Sequence, residues 1–188
     1  SPGSLATASP DAAARPSEFR YDPTDPVPTV GGNTVMWSGY PAGPMNQTQV
    51  EARPDVLVFT SDPLEEDIEV TGRVRVHLHA ESTAPSTDWV ARLCDVHPDG
   101  RSINLCDGIV RVTARARERG QHEIDLWSTS NVFLRGHRLR LHVTSSSFPR
   151  WDRNLNTGNQ SESRHQVAHQ RIYHDADRPS YIELPVNR

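Results

Sequence analysis

Lysine is missing from this chain: all twenty basic residues are arginine, set against twenty-four acidic ones, for a formal net charge of −4. That balance excludes the concentrated basic surface a polyanion requires, so nucleic acid is not an expected partner. The missing lysine reads as the codon bias of a GC-rich, bacterial genome. Cysteine is scarce as well. Cys94 and Cys106 fit no metal-ligand spacing, and within strand-like segments they read as buried apolar thiols in a reducing, cytoplasmic compartment. No apolar run approaches the length of a membrane span, and the N-terminus lacks the basic and apolar regions of a leader, so no membrane is expected either. Aromatic residues make up 6% of the chain and hydrophobic ones 35%, both low, whereas there are 15 prolines and 11 glycines. Such a composition excludes a helical bundle and favours short strands joined by many turns.

What is present is alternation. At 188 residues the chain suits one domain. Residues 1–16, small and proline-rich, read as an extended arm or linker, and 17–188 as the folded domain. From Val70 to Ala80, Val70, Val74, Val76, Leu78 and Ala80 share one parity while Arg73, Arg75, His77 and His79 share the other, the mark of a half-buried strand. Val110 to Arg119 and Arg138 to Val143 repeat the scheme. Thr87 to Val96 is apolar on both parities and reads as a central strand covered on both faces. His97-Pro98-Asp99-Gly100 then predicts a hairpin turn. Further strands are expected at Asp55–Thr60, Gln121–Leu126, Ala168–Tyr173 and Tyr181–Leu184. About eight antiparallel strands with long connections give an all-β, two-sheet sandwich of jelly-roll type.

Reactive groups are plentiful but not assembled. The segment Ser145 to Gly158, SSSFPRWDRNLNTG, crowds hydroxyls, guanidiniums and aromatics after a strand, yet the Gly-x-Ser-x-Gly elbow of an α/β-hydrolase is absent, and Ser102 sits in a hairpin context. An independent hydrolase would need a triad that no motif supplies. His77 and His79 stand two apart on one strand face, but Arg73 and Arg75 on that face disfavour a metal ion. His165, His169 and His174 have mixed parity. No metal and no cofactor is expected. The arginines from Arg111 to Arg119 read as the outer face of a sheet. Trp37, Trp89, Trp127 and Trp151 could stack sugars, which makes a carbohydrate-binding module the alternative function; Trp89 is better read as core.

The runs YDPTDPVPTVGG (21–32), DVLVFTSDPLEEDIEVTG (55–72), DVHPDGRSINLCDGIVR (95–111), TSNVFLRG (129–136) and SSSFPRWDRNLNTG together resemble the C-terminal domain of cocaine-esterase-type acyl hydrolases and Xaa-Pro dipeptidyl-peptidases. The resemblance covers nearly the whole chain. It implies a jelly-roll, galactose-binding-like sandwich that follows an α/β-hydrolase domain holding the catalytic serine, aspartate and histidine, none of which maps here. The chain is then expected to be part of a larger serine hydrolase, an esterase or dipeptidyl-peptidase, whose hydrolase domain is its partner, and a homo-oligomer stays open. Its expected role is to stabilise that domain and to wall the acyl pocket. By the same resemblance Val35, Met36 and Trp37 become candidate substrate-wall residues. Phe148, Trp151, Asp152, Arg153 and Asn154 become candidates for docking on the hydrolase domain.

Overall fold

The alternation written into the sequence folds into long paired strands. In the computed structural model, residues 3–35, 39, 41–113, 120–159 and 163–187 are described. They form β1 (Gly3–Ser4), β2 (Ser17–Tyr21), α1 (Thr48–Glu51), β3 (Leu57–Thr60), β4 (Ile68–Ser82), β5 (Ser86–Val96), β6 (Ser102–Thr113), β7 (Gly120–Phe133), β8 (Arg138–Thr144), β9 (Ala168–Tyr173), β10 (Tyr181–Glu183) and β11 (Val186–Asn187). A five-stranded sheet runs β1-β3-β8-β5-β6, and a six-stranded sheet runs β10-β4-β9-β2 with β7 and β11 also paired to β4. Pairing is antiparallel apart from β1 with β3. The two sheets make the expected β-sandwich. Within residues 1–16, Gly3 and Ser4 extend the first sheet beside Phe59 and Thr60. None of the described helices is long and apolar enough to cross a membrane.

The core lies between the sheets. Val74, Val76, Leu78 and Ala80 of β4 and Ile124 and Leu126 of β7 meet Trp89, Ala91 and Leu93 of β5 and Leu141 and Val143 of β8. Each inward set is one parity of its strand, as a two-residue side-chain period requires. β6 and β7 close one flank, and there Gly108 is obligatory: a Cβ on it would lie 2.0 Å from the Asp125 carbonyl oxygen.

β7 runs further than the expected Gln121–Leu126, because a bulge interrupts its pattern. Arg75 faces Asp125 and Arg73 faces Ser128, so Leu126 and Trp127 together oppose Val74. Trp127 takes the left-handed φ of 67° and is 63% exposed. The extra residue resets parity. Ile124 and Leu126 point inward before it and Phe133 after it, so alternation read through Trp127 fails. β6 also begins earlier than expected, at Ser102, since its first half buries polar Asn104 and Asp107 rather than apolar side chains. Residues 114–119 of the expected arginine strand lie outside the described residues.

Trp89 has no exposed surface and sits at the centre of the core. Trp89→Ala is therefore expected to destabilise the fold by about 3–5 kcal/mol, read as a lowered urea midpoint at unchanged slope.

Candidate functional site

β5 is buried along its whole length, and its two faces differ. Trp89, Ala91 and Leu93 enter the apolar core, whereas Asp88 and Arg92 point the other way, beneath a cover made from residues 22–35, 41–56 and 145–156. Charges removed from water demand partners; β6 provides the opposite charges and the cover the neutral hydrogen-bonding groups.

Asp88 takes a bidentate pair from Arg111 at 2.8 Å on each arm and a bond from Asn154 Nδ2 at 2.9 Å. Arg92, 3% exposed, donates to Gln47 Oε1 at 3.0 Å and Ser147 Oγ at 3.3 Å. Asp107 stands 3.8 Å from Arg92 and also pairs with Arg150. Glu51 of α1 reaches Arg140 at 2.6 Å and His142 Nε2 at 2.8 Å.

The cover is stitched to itself across a long stretch of chain. Val27 N–H donates to Ser146 Oγ at 2.9 Å, Phe148 N–H to the Val27 carbonyl at 2.9 Å, Thr29 N–H to the Phe148 carbonyl at 2.7 Å and Arg150 N–H to Thr29 Oγ1 at 3.1 Å. Two residues beyond Val30, Gly32 and Gly43 exchange backbone bonds of 2.7 and 2.9 Å and close a loop that carries Val35. Gly32 adopts φ 85°, a backbone that side chains other than glycine rarely take. The loop bearing Val35 and the segment bearing Phe148 thus leave from one corner of the sandwich.

Val35 is 80% exposed on that loop; Met36 and Trp37 lie outside the described residues. Phe148 is 42% exposed, and Trp151 is half-buried under the Arg150 guanidinium, 4.3 Å from the ring centre. Asp152 is exposed and meets Arg111 at 3.1 Å, while exposed Arg153 donates to the Pro23 carbonyl at 3.0 Å. Asn154 departs from its expected docking role. It is wholly buried, its amide held by Ser86 and Asp88, and its carbonyl accepts the Tyr21 hydroxyl at 3.1 Å. It offers a neighbouring domain no surface.

The serines of the same stretch are structural. Ser145 Oγ accepts from Gln170 Nε2, Ser146 Oγ from the Val27 N–H, and Ser147 Oγ from Arg92. Elsewhere Ser17 Oγ lies 3.0 Å from His174 Nε2, but among the described residues no carboxylate meets the other ring nitrogen, so the pair lacks the third member of a triad. His77 stacks on Tyr181 at 4.6 Å, and neither it and His79 nor the His165, His169 and His174 set forms a three-ligand cluster among the described residues. One such cluster does exist: Asp95, His97 and His137. None of the three is singled out in the sequence: Asp95 lies at the end of a strand, His97 opens the turn after it, and His137 is forty residues further on and becomes adjacent only through the pairing of β5 with β8.

Comparison with known proteins bears on this corner. The family model described as the X-Pro dipeptidyl-peptidase C-terminal non-catalytic domain matches residues 2–183. Cocaine esterase of Rhodococcus sp. (strain MB1 Bresler) is 43% identical over 183 residues, covering 89% of this chain and 32% of that protein. Among solved structures, an aminopeptidase from a marine sediment Thaumarchaeota archaeon superposes with a TM-score of 0.86 at 29% identity, over 99% of this chain and 35% of that one. An α-amino acid ester hydrolase superposes with a TM-score of 0.84 at 31% identity, over 98% and 35%. The chain thus spans about a third of the length of the relatives it matches.

Within the buried layer His142 is 1% exposed, and burial depresses its pKa more than Glu51 can raise it. Among the described residues its Nδ1 has no partner. Both features favour the neutral ring, which can donate from Nε2 to Glu51. Burial pushes the Glu51 carboxyl up, but the bond to His142 and the charge of Arg140 more than offset it and leave it below the usual carboxylate range. For a histidine whose folded pKa is lowered, the unfolded chain binds the extra proton first. Stability is then complete above the unfolded value of about 6.5 and falls as pH drops below it. Glu51 adds a loss in the same direction below about 4.5. Urea titrations from pH 7.5 to 5 are expected to show stability declining more steeply in the native chain than in His142→Gln, which cannot take up that proton.

Proposed function

Because this chain belongs to the family of X-Pro dipeptidyl-peptidase C-terminal non-catalytic domains, found in cocaine-esterase-type hydrolases, we propose that it stabilises an α/β-hydrolase domain of the same protein and completes one wall of its acyl pocket. The observation that carries the reading is the corner where residues 27–29 bond to residues 146–150. It brings an exposed Phe148 and the loop bearing an exposed Val35 out from one rigid base. Scattered apolar side chains on a surface mean little, but two raised on adjoining segments above a locked polar layer suit a covering surface.

In this reading Phe148 and Trp151 supply apolar contact, and Asp152 and Arg153 supply the polar rim. Val35, Met36 and Trp37 line the acyl side. The serine, base and acid belong to the hydrolase domain, and this chain contributes shape, stability and exclusion of water. The unbridged Cys94 and Cys106 fit a reducing, cytoplasmic setting.

By itself the chain is expected to hydrolyse neither nitrophenyl esters nor Xaa-Pro anilides. Joined to its hydrolase domain, Phe148→Ser should lower the melting temperature by several degrees. In the chain alone the same exposed change should stay within about 0.5 kcal/mol. Equal effects in both, or none in either, would remove the docking role. Val35→Asp should raise KM with little change in melting temperature if the loop walls the pocket.

A further inference from the structure

At the end of the five-stranded sheet, away from the docking corner, lies the cluster of Asp95, His97 and His137. Asp95 is the penultimate residue of β5, and His97 follows two positions on, where the hairpin to β6 begins. His137 immediately precedes β8, whose Leu139 pairs with Asp95. His137 Nδ1 lies 2.9 and 3.1 Å from the two Asp95 oxygens, and His97 Nε2 lies 3.9 Å from Asp95 Oδ2. The two imidazole rings face each other at 4.4 Å with a 39° tilt. One ligand atom from each residue falls within 4.8 Å of the other two.

We propose that Asp95, His97 and His137 bind a divalent transition-metal ion of the zinc class, with two imidazoles and one carboxylate as ligands and water at the remaining position.

Four-coordinate zinc holds nitrogen and oxygen ligands at about 2.0–2.2 Å, which sets ligand atoms about 3.3 Å apart. The separations to Asp95 bracket that value, so small side-chain rotations complete the site. Two imidazoles favour zinc, copper or nickel over calcium or magnesium, which prefer all-oxygen sites. The environment fits a cation. Asp95 and His137 are buried at 7% and 8% exposure, whereas the His97 side chain is 29% exposed and leaves an entry path. The charged groups around it are otherwise engaged: Arg101 pairs with Asp99 at 2.7 Å and Arg138 donates to the Ser61 carbonyl at 2.9 Å. Among the described residues no arginine pairs with Asp95. An ionised Asp95 can only accept, so the His137 Nδ1–H donates to it, and a metal would take the place of that proton. Bound there, the ion would tie the β5–β6 hairpin to the β7–β8 connection.

The test uses metal-free protein and Zn²⁺ alone. Calorimetric titration at pH 7.5 should show one ion per chain, and Zn²⁺ should raise the melting temperature. Because Asp95 and His137 are buried, the informative variant is His97→Ala. It should weaken Zn²⁺ binding at least tenfold and abolish the thermal shift while leaving the metal-free melting temperature unchanged. Cu²⁺ should give an electron paramagnetic resonance spectrum with nitrogen couplings from two imidazoles, falling to one in His97→Ala. Absence of binding, or stoichiometric binding that His97→Ala leaves intact, overturns the proposal, the latter by placing the ion on another histidine.

Discussion

The structure depends on the burial of β5 from both sides. A strand that carries charges on its outer face can sit at the centre of a sandwich only if its neighbour and a covering layer satisfy those charges, since an unpaired carboxylate or guanidinium out of water costs several kcal/mol. Asp88 and Arg92 therefore dictate where Arg111, Asn154, Gln47 and Ser147 must be, and Asp107 does the same for Arg150. The long connections rich in proline and glycine are the material of that layer. Buried ion pairs of this kind add little net stability over apolar packing, but removing one member of a pair is costly. They fix which loop conformation closes the face, and with it the position of the exposed corner.

The legible parts of the sequence are those in which one physical period persists. Strand β4 keeps its parity from Val74 to Ala80 with arginine and histidine between, and the apolar run of β5 marked its central position. Illegible parts are those where a local event or a distant partner overrides the period. Trp127 inserts one residue and flips everything after it. Asn104 and Asp107 occupy buried positions in β6 because they face the polar layer rather than the core. Asn154 looked like loop surface beside Trp151 and Asp152, yet its amide is the only group in that stretch aimed at Asp88. No neighbouring residue announces this, because the carboxylate it satisfies lies sixty-six residues earlier. The cluster of Asp95, His97 and His137 was hidden for the same reason.

Fold and function divide along this line. The sequence has no Gly-x-Ser-x-Gly elbow, and Ser146 and Ser147 accept hydrogen bonds from backbone and arginine. The segment that leads to Val35 and the segment that carries Phe148 share backbone bonds above the polar layer, so the position of each is tied to that of the other.

The stitching of residues 27–29 to residues 146–150 also orders events in time. The bond between Val27 and Ser146 spans 119 residues, and contacts that close such large loops form late and slowly. Within this domain residues 27–29 are made well before residues 146–150, so these bonds cannot form until the strands from β4 to β8 have been synthesised. An early part of the cover is thus among the last to settle, and the corner it shares with Phe148 is completed only once the sheet beneath it has formed.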